Sequence, residues 1–535
     1  MAGSENPRTG ADILVRRLRD HGVRHIFGYP GGQITPIYDA LYREPAIRHV
    51  LARDEQAAAF MADGYARVTG RPGVCLAVCG PGVLNAATPL ATSFTDSIPV
   101  LLLSGQIPAA GCSLRSGYYH ENEQLKVCAT FTKRQVRADS VQTIAPELDR
   151  IFAALQNGRP GPAIFEVPLD VLRAEQSGER LALPPDTETR LPRSKNIDAL
   201  AELMGRWKRP LLLVGGGAVL AEAGPLLVQL AERLSAPVFH SLGGKSAFPG
   251  DHRLLAGLPW HQATSDLSNM GPFMSPLFAE ADGLLAIGCR FSQACTGTWT
   301  LKPPPSLAQI DIDPEELGRH YPVKIGVQAD AREALRLLLD QLPATRRPPW
   351  TKIARREPPK LGGLDLLTPL RRALPRDAIV AADITRLSYL MLSDFPVYEP
   401  RTFLHPAGYV AMGYGLPAAI GAKAAMPERT VVAVAGDGCF LMSGMELASA
   451  VQEKLPVIVI LINDGSLTLI KAIQQRRYEG RFLGVDLKNP DFQLFAKAFG
   501  VRSWQVDSET AFAKAVAEAI SGGETSLIEV RLSGG

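Results

Sequence analysis

The run Val431-Val432-Ala433-Val434-Ala435, followed by Gly436-Asp437-Gly438, decides the fold. Five apolar residues closed by a glycine are too few for a helix and read as a strand buried on both faces. The pattern then turns helical over Met442–Val451 before a second apolar run, Pro456–Ile462, which ends in Asn463-Asp464-Gly465. Two such strands separated by a helix-length stretch form a parallel pair with a helical crossover. In an open parallel sheet, ligands bind beyond the carboxyl ends of the strands, which is where Asp437 and Asn463 stand.

The alternation extends outward through the chain. Strands are expected at His25–Gly28, His49–Ala52, Val74–Cys79, Pro99–Ser104 and Ala163–Val167. The pattern restarts at Pro210–Val214, Pro237–His240, Gly283–Ile287 and Ala308–Ile312, and again at Ala378–Ala382, Val431–Ala435, Pro456–Ile462 and Ser526–Val530. Thr9 with Asp12 three residues on reads as a capping box for a first helix. Between the blocks, Ala182–Arg193 and Pro343–Pro359 lack periodicity and are rich in Pro and charge, as linkers are. The expected fold class is α/β, with three doubly wound parallel-sheet domains at 1–182, 194–342 and 360–535. The first and third are candidate copies of one fold.

With 535 residues, 46% hydrophobic and 21% charged, the chain is neither disordered nor fibrous. A net charge of +3 without a basic run argues against nucleic acid. Seven cysteines with no C-x-x-C pair point to reduced thiols. No apolar run reaches the roughly 20 residues of a membrane span. MAGSENPRTG has no apolar core of an export signal, so a cytoplasmic location without membrane contact is expected.

If the two loops meet, they bring together a carboxylate (Asp437), an amide oxygen (Asn463) and the backbone carbonyl of Gly465. That all-oxygen set suits Mg²⁺ and not zinc. The alternative is two ordinary turns that never meet.

Gly436-Asp437-Gly438 with Asn463 downstream resembles the thiamine-diphosphate motif of the pyruvate oxidase, acetolactate synthase and 2-oxo-acid decarboxylase superfamily. Phe27-Gly28-Tyr29-Pro30-Gly31-Gly32, Asp54-Glu55-Gln56-Ala57-Ala58 through Gly64-Tyr65-Ala66-Arg67, and Gly80-Pro81-Gly82 through Asn85 match it in the same order. The resemblance implies pyrimidine-binding, central and diphosphate-binding domains. It implies Glu55 as the carboxylate on the cofactor's aminopyrimidine, with Pro30 and Asn85 as further contacts. Asp437, Asn463 and Gly465 become metal ligands, while Gly436, Gly438, Cys439, Thr385 and Arg386 lie at the diphosphate end. Cys439 is read as packing. Met412, in Ala411-Met412-Gly413-Tyr414-Gly415, matches the residue that props the cofactor, and the carbonyl of Val410 accepts from it. Since the family builds each site from two subunits, a homodimer or homotetramer is implied.

The implied reaction is decarboxylation of a small 2-oxo acid, pyruvate foremost, with the acyl carbanion added to a second carbonyl. Gly32 stands where decarboxylases of the superfamily carry acidic or hydroxylated residues, and the space it leaves favours a carbonyl acceptor. Ser104-Gly105-Gln106-Ile107-Pro108, Thr132-Lys133 and Asp311-Ile312-Asp313 also look like acetolactate synthase strings. Three departures fall on the acceptor side: Gln33, Tyr119-His120-Glu121, and Leu467-Thr468-Leu469-Ile470-Lys471 running into Ile473-Gln474. His120 is a candidate acid/base, the alternative being a structural histidine. A non-oxidative decarboxylase or a 2-hydroxy-ketone lyase is the alternative reaction. A nicotinamide dehydrogenase is more distant, for want of a G-x-G-x-x-G followed by an acidic residue. FAD is possible but not favoured: Gly215-Gly216-Gly217 is a weak signal, and Gly288-Cys289-Arg290-Phe291 is followed by Ser292 and Gln293 where flavin-binding relatives are acidic.

Overall fold

Short apolar runs bury both faces of three six-stranded sheets, each wholly parallel, in a computed structural model that describes residues 9–112, 115–176, 196–261, 273–354 and 357–532. In the first sheet the spatial order is Arg48–Leu51, His25–Gly28, Gly73–Ala77, Val100–Gln106, Ala163–Pro168, Arg134–Arg137. The third runs Phe403–Leu404, Ile379–Ala382, Val431–Gly436, Ile458–Asn463, Ser526–Arg531, Arg502–Val506. Numbered within each block, both follow 2-1-3-4-6-5, so the two blocks share one topology.

The central sheet instead follows 3-2-1-4-5-6, from Leu255–Gly257 through Val238–His240, Pro210–Val214, Gly283–Ile287 and Leu307–Asp311 to Ile325–Gln328. This is the dinucleotide-fold order, and its switch point lies between Pro210–Val214 and Gly283–Ile287. There the glycines answer to backbone packing. Gly217 N donates to Gly288 O at 3.1 Å, and a Cβ on Gly215 would stand 2.0 Å from Gly288 O.

Thr9 and Asp12 close the expected capping box: Asp12 N donates to Thr9 Oγ1 at 3.2 Å, and Thr9 N to Asp12 Oδ2 at 3.0 Å. The stretch 182–193 lies outside the described residues. Among the described residues of 343–359 there is neither helix nor strand. No described helix is long and apolar enough to cross a membrane.

The chain divides into two units, and the division is not sequential. Residues 1–189, 409–428 and 443–457 form the first; 190–408, 429–442 and 458–535 form the second. Inside the first unit, the helix Gly415–Ala425 packs on the helix Glu55–Thr69. The approach is close because each presents a glycine to the other. A Cβ on Gly64 would lie 2.2 Å from Ala418 O, and one on Gly421 would lie 1.9 Å from Met61 O. A buried polar cluster pins the same pair. Tyr414 donates to Asp63 at 3.1 Å, Ser93 donates to Asp63 at 2.8 Å, and Arg67 pairs with Asp63 at 2.6 Å and Asp96 at 2.9 Å. In the second unit, Lys245 follows the central strand Val238–His240 and donates to Leu392 O at 3.0 Å, at the end of the Arg386–Asp394 helix.

Candidate active site

Within the first unit, Asp54 caps the helix that Glu55 opens, accepting from Gln56 N at 3.3 Å. Glu55 is 9% exposed. Its Oε2 accepts from Asn85 Nδ2 at 3.0 Å, so Oε1 is the oxygen left for a ligand. Gly82 keeps that oxygen open, since a Cβ there would lie 2.8 Å from it. Gly80, at φ +71°, takes a backbone conformation that suits glycine. Its N–H donates to Gln124 Oε1 at 3.1 Å, and a Cβ there would stand 3.0 Å from His120 O. The Gly80–Gly82 loop therefore touches both Glu55 and the His120 backbone. His120 adopts φ +66°, and its Nδ1 is buried without a hydrogen-bond partner. A Cβ on Gly32 would meet nothing within 4 Å; nearby in the chain, Pro30 is exposed and Gln33 half-buried. Val410 and Met412 precede the helix Gly415–Ala425 in this same unit, Val410 with 49% of its surface exposed.

Glu446, fully buried in the first unit, accepts from Arg53 N at 2.9 Å and from Ser449 Oγ at 2.6 Å, two residues from Glu55. Burial pushes its carboxyl up to about 7 against those two bonds, and the charge of Asp54 reinforces the rise. A raised acid binds its proton more tightly in the folded chain than in the unfolded one. Its contribution to stability is therefore full below the unfolded pKa of about 4.5 and is lost as pH rises through about 7, a change of up to roughly 3 kcal/mol. Glu446→Gln is expected to remove this component, so that variant and wild type diverge between pH 5 and pH 8 in thermal midpoint. Parallel midpoints across that range would contradict it.

The second unit supplies the other cluster. Asp437 opens the helix Asp437–Ser443 directly after the strand Val431–Gly436, and Asn463 ends the neighbouring strand Ile458–Asn463. The two loops do meet. Asp437 Oδ1 accepts from Gly438 N at 2.8 Å, and Oδ2 accepts from Gly465 N at 2.8 Å and Asn489 Nδ2 at 2.7 Å. Asn463 Oδ1 accepts from the same Asn489 Nδ2 at 3.0 Å. Burial raises the Asp437 carboxyl and the nearby Asp464 adds to the rise, while these donors oppose it. Gly465, at φ +65°, accepts at its carbonyl from Leu487 N at 2.8 Å and keeps a second lone pair.

Arg386 reaches Asp464 at 3.5 Å, and its Nε is buried without a partner, as is Ser466 Oγ. Cys439 Sγ donates to Ile384 O at 2.9 Å, so the thiol packs. Thr385 Oγ1 lies against Gly436, 3.2 Å from where a Cβ would be. Among the described residues, no cluster of three or more His, Cys, Asp and Glu is arranged to bind a metal. The oxygens of Asp437, Asn463 and Gly465 instead form a mixed set of the kind hard divalent cations take. Partnerless donors on Arg386 and Ser466 fit an anion such as a diphosphate. Residues present therefore fit both groups.

Sequence reasoning missed Asn489 and Glu529. Glu529 is fully buried and accepts from Asn463 Nδ2 at 2.8 Å, Gln493 Nε2 at 3.0 Å, Gln505 Nε2 at 3.0 Å and Arg531 Nε at 3.1 Å. An Asn before Pro490 reads as a turn, and a lone Glu in the strand Ser526–Arg531 breaks its apolar pattern. That break was the available signal.

Comparison with known proteins fits this arrangement. Residues 8–127 match the thiamine pyrophosphate enzyme N-terminal TPP binding domain, 197–338 its central domain and 383–530 its C-terminal TPP binding domain. A probable 2-ketoarginine decarboxylase of Pseudomonas aeruginosa is 37% identical over 515 residues, 92% of this chain and 88% of that one. The acetolactate synthase large subunit of Corynebacterium glutamicum is 34% identical, covering 92% and 81% respectively. The isozyme 3 large subunit of acetolactate synthase from Escherichia coli is 33% identical, covering 96% and 92%. The chain belongs to the thiamine pyrophosphate enzyme family and carries its N-terminal, central and C-terminal domains.

Proposed function

We propose that the protein is a thiamine-diphosphate- and Mg²⁺-dependent carboligase of acetolactate synthase type, which decarboxylates a small 2-oxo acid, pyruvate, and joins the acyl group to a second carbonyl. The observation that carries the carboligase reading is Gly32. Open space where a side chain would stand gives a carbonyl acceptor room that a proton-handling residue would fill. Thiamine diphosphate, when bound, supplies the nucleophilic carbon and the electron sink for decarboxylation.

The chain's own residues divide the remaining work. Glu55 Oε1, left free by Asn85, holds or shares a proton with the aminopyrimidine ring nitrogen, and burial behind Gly82 keeps water from competing. Asp437, Asn463 and the Gly465 carbonyl hold Mg²⁺, with Arg386, Thr385 and the Gly436–Cys439 turn around the diphosphate. Met412 would prop the cofactor, and the carbonyl of Val410 would accept a hydrogen bond from it. His120, the candidate acid/base, exchanges a proton with the product, a role that its partnerless buried Nδ1 supports.

The assembly is at least a homodimer, one subunit giving Glu55 and another the diphosphate end. Apolar side chains left exposed support this: Val410, Met445 and Val451 in the first unit, Leu441 and Met442 in the second. Domain limits of 1–182, 194–342 and 360–535 and a cytoplasmic location belong to the same reading.

A second reading, a 2-oxo-acid decarboxylase, is favoured by one observation, the 37% identity to the probable 2-ketoarginine decarboxylase. Incubation with thiamine diphosphate, Mg²⁺ and either pyruvate or 2-ketoarginine, followed by NMR of the products, separates the two. Acetolactate from pyruvate supports the carboligase. Acetaldehyde alone, or turnover of 2-ketoarginine only, replaces it with the decarboxylase.

A further inference from the structure

We propose that Asn489 is a positioning residue that keeps Asp437 and Asn463 in ligating orientation before the cation arrives, with Glu529 fixing which way round Asn463 stands. The inference rests on the metal-dependent reading above and concerns residues that the motif does not contain.

An ionised carboxylate only accepts hydrogen bonds. Four N–H donors converge on buried Glu529 and occupy both of its oxygens, Asn463 and Arg531 on Oε1, Gln493 and Gln505 on Oε2. Asn463 must therefore turn Nδ2 toward Glu529, which leaves Oδ1 facing Asp437. Two oxygens facing one another across an empty space repel and drift apart unless a donor sits between them. The Asn489 amide is that donor: its Nδ2 lies 2.7 Å from Asp437 Oδ2 and 3.0 Å from Asn463 Oδ1, one N–H for each. Its Oδ1 is buried with no hydrogen-bond partner, so the two bonds from Nδ2 are what hold the amide.

The brace is itself fixed from both sides. Leu487 N donates to Gly465 O at 2.8 Å. Beyond Pro490, Asp491 caps the helix Phe492–Ala498 through Gln493 N at 2.9 Å and Leu494 N at 3.0 Å. One short segment, Leu487–Asn489, thus touches all three groups assigned to the cation.

Mn²⁺, which accepts the same oxygen shell and reports by electron paramagnetic resonance, tests this in the full chain with saturating thiamine diphosphate. Asn489→Leu is expected to weaken Mn²⁺ binding by roughly 10–100-fold. Asn489→Asp places a further carboxylate beside the two oxygens. It should bind Mn²⁺ at least as tightly as wild type, melt lower without metal, and recover when Mn²⁺ is added. A residue that served packing alone would not produce that opposition. Binding by Asn489→Leu within about twofold of wild type, well short of the loss expected for such a partner, overturns the inference. Equal weakening in the Asp and Leu variants also does so. If the wild type takes up no Mn²⁺, the cation site itself fails and the inference falls with it; if wild type binds and Asn489→Leu matches it, only the role of Asn489 fails.

Discussion

Glu55→Gln is expected to lower pyruvate turnover by roughly 100-fold or more while the protein folds and melts as wild type does. The geometry makes this substitution discriminating. Oε2 of Glu55 accepts from Asn85 Nδ2, so glutamine must present its carbonyl oxygen to Asn85 and its amide nitrogen outward in place of Oε1. The outward group then has the right shape and reach but no proton to give or take at neutral pH. Binding of thiamine diphosphate, followed by calorimetry, should survive in large part, because only the proton at the ring nitrogen is lost. Wild-type turnover in this variant would remove Glu55 from the mechanism. A collapse of folding would show that its carboxylate serves the helix N-terminus instead.

The second large effect is on folding and needs one methyl group. Gly421→Ala puts a Cβ 1.9 Å from the backbone oxygen of Met61, and Gly64→Ala puts one 2.2 Å from that of Ala418. Neither neighbour is a flexible side chain that could swing away, so the two helices must separate. Separation would also break the contacts of Tyr414 with Asp63 and with the Arg67 guanidinium. A loss of more than ~4 kcal/mol, seen as insoluble or unfolded protein, is expected for either variant. Gly205→Ala is the control. It lies in a helix with nothing within 4 Å and should be neutral or slightly stabilising. Soluble Gly421→Ala with an unchanged thermal midpoint would show that the helices do not pack this closely.

Interior strands were legible because burial on both faces leaves an unbroken apolar run, as in Val431–Gly436 and Gly283–Ile287. Most sheet edges were not; Arg48–Leu51, expected at His49–Ala52, is the exception. Arg134–Arg137 and Arg502–Val506 mix charge with apolar residues and Ile325–Gln328 ends in a polar one because one side meets solvent, and Phe403–Leu404 is two residues long. The candidate site shows the same split. Glu55, Asp437 and Asn463 sit in local strings, each at a strand end or helix start, and could be read in place. Asn489, Glu529 and Glu446 act from other elements, and no local pattern marks a residue whose importance is a hydrogen bond to a distant one. Nor could any window of sequence show that residues 409–428 and 443–457 pack with the first block.

That interleaving bears on how the protein is made. The helix Glu55–Thr69 leaves the ribosome early, yet the helix that covers its glycine face comes some 350 residues later, and the first unit is not complete until residue 457 has emerged. At synthesis rates of about 5–20 residues per second, the N-terminal sheet waits on the order of tens of seconds with that face bare. A nascent chain stalled before residue 409 should therefore be held by chaperones or cleaved, while one released beyond residue 457 should not.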